Sequence, residues 1–341
     1  MFFTDLRNIM NTSSVAVIGG GSWATAIVKM LSNNVENVHW WIRNDETVDF
    51  IRRYKHNPSY LSDVELNLDI VQPSSNLKEV IERTEFIILA VPAAFLSAAL
   101  SQLTAADFKN KKVFSAIKGI VPEKFQIVGD YMNSHFEVPF ENIGVITGPC
   151  HAEEVAMEKL SYLTIACPTA DTASTMASMI KCRYINTITS DDIFGTEYSA
   201  VLKNIMAIAS GICHGLGYGD NFQAVLISSA IREMKRFTMA AHPIDRDIND
   251  SAYLGDLLVT AYSQFSRNRT FGSMVGKGYS VKSAQLEMNM IAEGYYAAAC
   301  IHEINKQLKA SIPICDAVYN ILYEKISARV EMKLLADRLE L

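Results

Sequence analysis

The stretch that most constrains this chain is residues 15–26, VAVIGGGSWATA. Four apolar residues, Val15 to Ile18, run into three glycines, and a helix-compatible segment follows. Strand, glycine turn and helix in that order give the pattern G-x-G-x-x-A its meaning as a dinucleotide turn. Gly19 would allow the tight turn, and Gly21 would let the backbone approach a pyrophosphate. Ala24, small like the usual third glycine, would let helix and strand pack closely. The anion would sit on N–H groups at the helix start, where the helix dipole favours negative charge. The competing reading is a glycine-rich turn that binds nothing.

The rest of the first half repeats strand and helix patterns, which predicts a doubly wound α/β sheet, mostly parallel, with helices on both faces. Val38 to Ile42 reads as the second strand, with Arg43 directly after it. A fold of this kind that prefers NADH usually places an acid here for the ribose 2′-hydroxyl. Arg43 could instead pair with a 2′-phosphate or stack on the adenine; it could also be a solvated arginine, and Asp45 keeps NADH in play. Residues 60–73 alternate as an edge strand or hairpin would, and 77–83 read as a helix capped from Ser75. Phe86 to Val91 is the continuous apolar run of a central strand. Val91, Pro92 and Phe95 follow at its exit as candidates for a cofactor wall, with packing the plainer role for Phe95. Val113 to Ala116 forms the next strand and delivers Lys118. Residues 142–147 form another, leading to Gly148, Cys150 and a helix opening at His151. Short strands are expected at 162–166 and 184–187.

From Asp192 onwards helical periodicity takes over, with helices expected at 197–213, 221–238, 256–263 and 283–308. This predicts two domains, a Rossmann-like domain over residues 1–191 and an all-helical substrate domain over 192–341. Polar residues interrupt the apolar helices. Lys203 and Asn204 lie inside AVLKNIMAIA, and a buried charge without a partner is costly, so this lysine either snorkels or faces a polar cleft. Asp256 and Thr260 stand one turn apart on one face. Ser266, Arg267, Asn268 and Arg269 offer a helix cap with cationic groups, suited to clamping a phosphate. Gly272, Gly276 and Gly278 would make the loop that follows permissive. Taken singly, each feature reads equally as structure.

Composition limits the alternatives. The chain has 341 residues, 49% hydrophobic and 20% charged, with a net charge of −6. That balance argues against general nucleic-acid binding, while allowing a local basic pocket for a phosphorylated metabolite. The six cysteines have neither zinc-site nor disulfide spacing, which fits free thiols in a reducing cytoplasm. The seven histidines form no ligand-spaced cluster, so no metal is expected. Residues 1–14 lack the basic start and long apolar core of a signal peptide and read as a short arm. The longest apolar run, 86–100, contains Pro92 and is too short to span a bilayer, so no membrane insertion is expected.

Six segments in order, AIKGI (116–120), TGPCHAEEVA (147–156), VLKNIMAIASG (201–211), GLGYGDN (215–221), LGDLLVT (254–260) and SRNRTFG (266–272), resemble the soluble, biosynthetic NAD(P)-dependent glycerol-3-phosphate dehydrogenases. The resemblance runs from about residue 14 to 325. It implies a Rossmann domain followed by a helical one. It also implies reversible reduction of dihydroxyacetone phosphate to sn-glycerol 3-phosphate with NADPH or NADH, feeding phospholipid synthesis, and a homodimer. The family's catalytic lysine falls on Lys203 and its second active-site lysine on Lys118, and Asp256 could position the catalytic lysine. Asn204, Asp256, Thr260, Ser266, Arg267 and Asn268 match substrate positions, and Gly148 and Cys150 lie on the loop approaching the substrate. Ser22, Trp23, Lys118, Ala152, Arg267 and Glu293 match cofactor contacts.

Cys150, His214, Leu254 and residues 159–163 depart from the family's usual pattern. They suggest a divergent branch, with the contact of Cys150 and the cofactor preference most exposed to change. Two other readings stay open. One is a related two-domain dehydrogenase acting on another phosphorylated substrate. The other is a catalytically silent nucleotide sensor, whose expected mark would be loss of Lys203, Lys118 or Asp256.

Overall fold

A computed structural model describes residues 14–288 and 292–339. All but the last residue of the expected N-terminal arm lies outside them. The strands are β1 (Ser14–Ile18), β2 (Asn37–Trp41), β3 (Val71–Ser74), β4 (Phe86–Leu89), β5 (Lys112–Ser115), a small hairpin of β6 (Ile120–Val121) and β7 (Gln126–Ile127), β8 (Ile143–Thr147), β9 (Ser161–Ala166) and β10 (Ile185–Ser190). Among the described residues the main sheet has eight strands in the order β10-β9-β8-β5-β4-β1-β2-β3. The strands from β3 to β8 pair in parallel, β9 runs antiparallel to β8, and β10 is parallel to β9. The expected mostly parallel sheet is therefore present. Of its central strands, β4 is apolar throughout and β1 is apolar from Val15 to Ile18, because helices cover both faces.

Covering the sheet are α1 (Ser22–Leu31), α2 (Asp45–Tyr54), α3 (Leu77–Glu82), α4 (Leu96–Leu100), α5 (Val128–Phe136), α6 (Ala152–Ala156) and α7 (Ala170–Ile180). The helical half follows as α8 (Ile193–Gly215), α9 (Asp220–Ala241), α10 (Asp256–Tyr262), α11 (Arg267–Gly276), α12 (Val281–Glu287), α13 (Glu293–Leu308), α14 (Pro313–Leu322) and α15 (Ala328–Ala336). The central helix α8 is apolar on nearly every side and buried from Ser199 to Cys213, as a helix enclosed by others must be. Among the described residues no helix is long and apolar enough to cross a membrane.

Several local expectations are corrected. Residues 60–70 do not form a strand; Asn67 turns the chain by accepting the Asp69 N–H, so turn chemistry overrides the alternation. The cap of α3 is Asn76, which accepts from Glu79, rather than Ser75. Phe95 is exposed rather than packed. The helix expected over 283–308 is two helices, with extended backbone at Met288 and at Ala292. Gly272 and Gly276 belong to α11 and not to a loop. They let α11 lie backbone to backbone on α8: a Cβ at Gly272 would strike the Ile208 carbonyl, one at Gly276 the Ile212 carbonyl, and one at Gly211 the Arg269 carbonyl. Only Gly278 adopts a positive φ in the turn that follows.

Candidate active site

The glycine turn is a prepared cradle. Gly19 has φ +136°, and a Cβ there would run into the Ala90 carbonyl at the exit of β4. Trp40 Nε1 donates to the Gly19 carbonyl at 2.6 Å and Asn57 Nδ2 to the Gly20 carbonyl at 3.0 Å, fixing the turn from outside. Helix α1 begins after Gly21 without a side-chain cap, and no neighbouring atom would crowd a Cβ on Gly21. Ser22 and Trp23 form the first turn, and the buried indole N–H of Trp23 has no partner. An uncapped helix start, open space and an orphaned donor together fit an anionic dinucleotide. Arg43 lies exposed just past β2, while Asp45 accepts from the Ser75 hydroxyl.

Beyond the exit of β5, Lys118 reaches from this turn to the helical half. Its Nζ stands 5.9 Å from the Trp23 ring centroid, donates to the Gly148 carbonyl at 3.0 Å and meets Asp256 Oδ2 at 3.2 Å. Gly148 has φ +117° and packs against the Tyr162 carbonyl, which brings its own carbonyl to the lysine. Lys203 of α8 meets the other carboxylate oxygen of Asp256 at 2.5 Å, and both side chains are nearly inaccessible. Thr147 at the end of β8 adds a hydroxyl 3.4 Å from Asp256 Oδ2. One carboxylate thus serves two ammonium groups.

Burial pushes Lys203 down to about 7; Asp256 opposes that shift and Lys118 adds to it. Burial would raise Asp256, but the two lysines outweigh it and hold the carboxyl below its usual range. His151, at the start of α6, is held neutral by burial and by the same two lysines. Burial lifts the Cys150 thiol to about 12, so it stays neutral beside Gly148.

A second polar patch closes the site. Ser266 caps α11 by accepting from the Arg269 N–H at 3.3 Å, placing Arg267 and Asn268 in the positive first turn. Asn268 Oδ1 accepts from the Gly294 N–H at 2.9 Å, tying the start of α13 to that of α11. Asn204, next to Lys203, donates to the Lys118 carbonyl at 2.7 Å. Glu293 accepts from the Ala93 N–H at 3.2 Å beyond β4; burial pushes it up to about 7 while Arg267 pulls the other way. Thr260 turns its hydroxyl onto the Asp256 carbonyl at 2.6 Å, within its own helix.

Two family profiles divide the chain between them. The profile of the NAD-dependent glycerol-3-phosphate dehydrogenase N-terminus matches residues 14–173, and that of the C-terminus matches residues 192–333. The chain belongs to this family. A protein of Exiguobacterium named glycerol-3-phosphate dehydrogenase (NAD(P)+) is 35% identical over 327 residues, covering 96% of each chain. One of the same name from Staphylococcus carnosus is 33% identical, covering 96% of this chain and 98% of that one. The crystal structure of glycerol-3-phosphate dehydrogenase from Coxiella burnetii superposes with a TM-score of 0.87 at 26% identity, covering 96% and 99%. D-mandelate dehydrogenase, at 16% identity and a TM-score of 0.56, shares the fold alone.

As a member of the glycerol-3-phosphate dehydrogenase family, the chain brings Lys118, Lys203 and Asp256 into direct contact, with Gly148 and Asn204 hydrogen-bonded to Lys118. Asn268 ties the start of α11 to that of α13, and Glu293 bonds instead to the Ala93 N–H beyond β4. Ala152 is buried in the first turn of α6, beside His151. Arg43 stands apart, at the β2 end of the glycine turn. Sequence reasoning missed Thr147 and His151 as neighbours of the lysines, although both lie within the segment 147–156 that carried the resemblance. Among the described residues no group of His, Cys, Asp and Glu is arranged to hold a metal.

Proposed function

We propose that the chain reversibly reduces dihydroxyacetone phosphate to sn-glycerol 3-phosphate with NADPH or NADH, supplying glycerolipid synthesis. The observation that carries the reading is Lys118, which spans from the Trp23 of the dinucleotide turn to the Asp256 that holds Lys203. Residues 1–191 supply most of the dinucleotide contacts and residues 192–341 most of the substrate contacts, with the site in the cleft between them. Gly19, Gly21, Ser22 and Trp23 seat the pyrophosphate end, with Ala152, Arg267, Glu293 and Arg43 along the remaining length. Bound there, the reduced nicotinamide supplies a hydride to the ketone carbon.

Lys203 donates the proton that the carbonyl oxygen needs as it becomes an alkoxide, and recovers it in the reverse direction. A lysine near 7 gives up its proton far more readily than an ordinary one, which suits a general acid at neutral pH. Lys118 adds positive charge near the developing oxyanion, and Asp256 keeps both lysines oriented. Ser266, Arg267 and Asn268 hold the phosphate at the α11 start. Asn204 and Thr260 lie within reach of the hydroxyls. Gly148 and the neutral Cys150 shape the loop side.

The protein acts in the cytoplasm, a reading supported by six free cysteines. It acts as a homodimer, the state that the resemblance implies, which sedimentation would check. Following reduced-nicotinamide absorbance with dihydroxyacetone phosphate tests the reaction. Oxidation that requires the phosphorylated ketone supports it; no oxidation of NADH or NADPH by a protein that binds them would overturn it.

A further inference from the structure

Asp256 is presented by an unusual turn. Residues Ser251–Gly255 are wound as a π-helix, and the Asp256 N–H reaches back to the Ser251 carbonyl while sharing its proton with the Tyr253 carbonyl. Such wide turns are rare and need support from outside the helix. In an α-helix this N–H would bond one residue later, and each residue of register turns a helix by about 100°. Relaxation to the commoner winding would therefore swing the Asp256 carboxylate off the lysines.

The outside support comes from Tyr253, buried in the middle of the π turn. Its hydroxyl donates to Asp192 Oδ2 at 2.7 Å. Asp192 is itself gripped by Arg246, whose Nε donates to Oδ2 at 2.8 Å and whose second nitrogen donates to Oδ1 at 3.2 Å. The same carboxylate caps α8 by accepting the Gly195 N–H at 2.8 Å. Asp192 thus stands where the sheet half ends and α8, the helix of Lys203, begins. The cluster is buried and fits without slack: a Cβ at Gly195 would strike Asp192. Nothing in it touches the lysines or the cofactor turn, so the proton chemistry described above does not use it.

We propose that Tyr253, anchored by Asp192 and Arg246, is a positioning residue that keeps the π turn wound and so holds the Asp256 carboxylate between Lys118 and Lys203. The inference rests on the reading of Lys203 as the proton donor. It makes the start of α8 a common reference for both members of the ion pair, Lys203 through its own helix and Asp256 through the π turn.

The test is the pH dependence of kcat/KM for dihydroxyacetone phosphate reduction in the wild type, Asp256→Asn and Tyr253→Phe. Reduction needs Lys203 protonated, so activity falls as pH rises through its pKa. The ionisable groups facing Lys203 are Asp256, Lys118 and the neutral His151. Of these only Asp256 favours the protonated lysine, so losing or displacing it moves the alkaline limb to lower pH, by about one unit or more. Tyr253→Phe is expected to lose about ten- to a hundredfold in kcat/KM and to shift the limb in the same direction as Asp256→Asn, while its dissociation constant for NADPH or NADH stays unchanged.

A Tyr253→Phe limb that coincides with the wild type, while that of Asp256→Asn moves, would overturn the positioning role, whatever the melting temperature does. If Asp256→Asn itself leaves the limb in place, the reading of the Lys203–Asp256 pair fails and the inference falls with it. Should Tyr253→Phe not fold, Asp192→Asn decides the question by the same limb, since it keeps the shape of the anchor and removes its charge.

Discussion

Asn204 Nδ2 donates to the main-chain carbonyl of Lys118 at 2.7 Å, joining the residue beside one active-site lysine to the backbone of the other across 86 positions of sequence. Lys203 and Lys118 are therefore tied twice, through Asn204 and through Asp256. Lys203→Ala is expected to lose about 10²- to 10⁴-fold in kcat, the range of a general acid. The dissociation constant for NADPH or NADH, read from quenching of protein fluorescence, is expected to stay within a few-fold of wild type. Near-normal turnover would assign the proton to another group.

With Lys203 near 7, the two directions of reaction are expected to have opposite pH limbs. Reduction uses the protonated amine and declines as pH rises through that value. Oxidation of sn-glycerol 3-phosphate uses the neutral amine and rises across the same range. Initial rates in both directions at constant ionic strength check this, and parallel limbs would contradict it.

Arg267→Ala is expected to raise KM for the phosphorylated ketone by about ten- to a hundredfold, the worth of a charged hydrogen bond at roughly 1.5–3 kcal/mol. The effect on kcat is expected to be smaller. An unchanged KM would move the phosphate away from the α11 start.

Arg43 stands past β2 with nothing between it and solvent, and Asp45 is already engaged by Ser75. Arg43→Ala is expected to raise KM for NADPH and leave KM for NADH nearly unaltered. Equal effects on both cofactors would make this arginine a bystander to the 2′-phosphate.

Glu197 on α8 is buried, accepts the Gly129 N–H with one oxygen and leaves the other without a partner. Burial pushes it up to about 8 from an ordinary 4.5. A carboxyl raised on folding contributes stability that is complete below its unfolded pKa and is lost as pH rises through the folded value. Melting temperature is thus expected to fall between about pH 5 and 8, and Glu197→Gln is expected to flatten that slope. Asp130, Glu233 and Glu293, also raised by burial, leave a residual slope of the same sign. An identical slope in the variant would place the titration elsewhere.

Much of this was legible because the decisive signals are local. The strand, glycine turn and helix of residues 15–26 announce themselves by residue type, and Lys203 stands out as a charge inside an apolar helix. Features that depend on tertiary contact were hidden. The alternation over 60–70 suggested a strand until the side chain of Asn67 claimed the backbone for a turn. The π turn before Asp256 leaves no mark in sequence, since its support, Asp192, lies 61 residues before Tyr253. Gly272 and Gly276 look like loop punctuation, and Gly211 like an incidental glycine of the expected helix 197–213, until the two helices are laid together.

That glycine contact has a consequence for selectivity. Helix α8 carries Lys203 about two turns from Gly211, and α11 carries Arg267 at its first residue. Because the two backbones touch, no side chain sets the separation of these helices. On the proposed reading, the gap between proton donor and phosphate holder works as a fixed gauge, matched to three carbons. Substituting residues around the pocket could change which groups hang from a substrate of that length; accepting a longer one would require a different pair of helices.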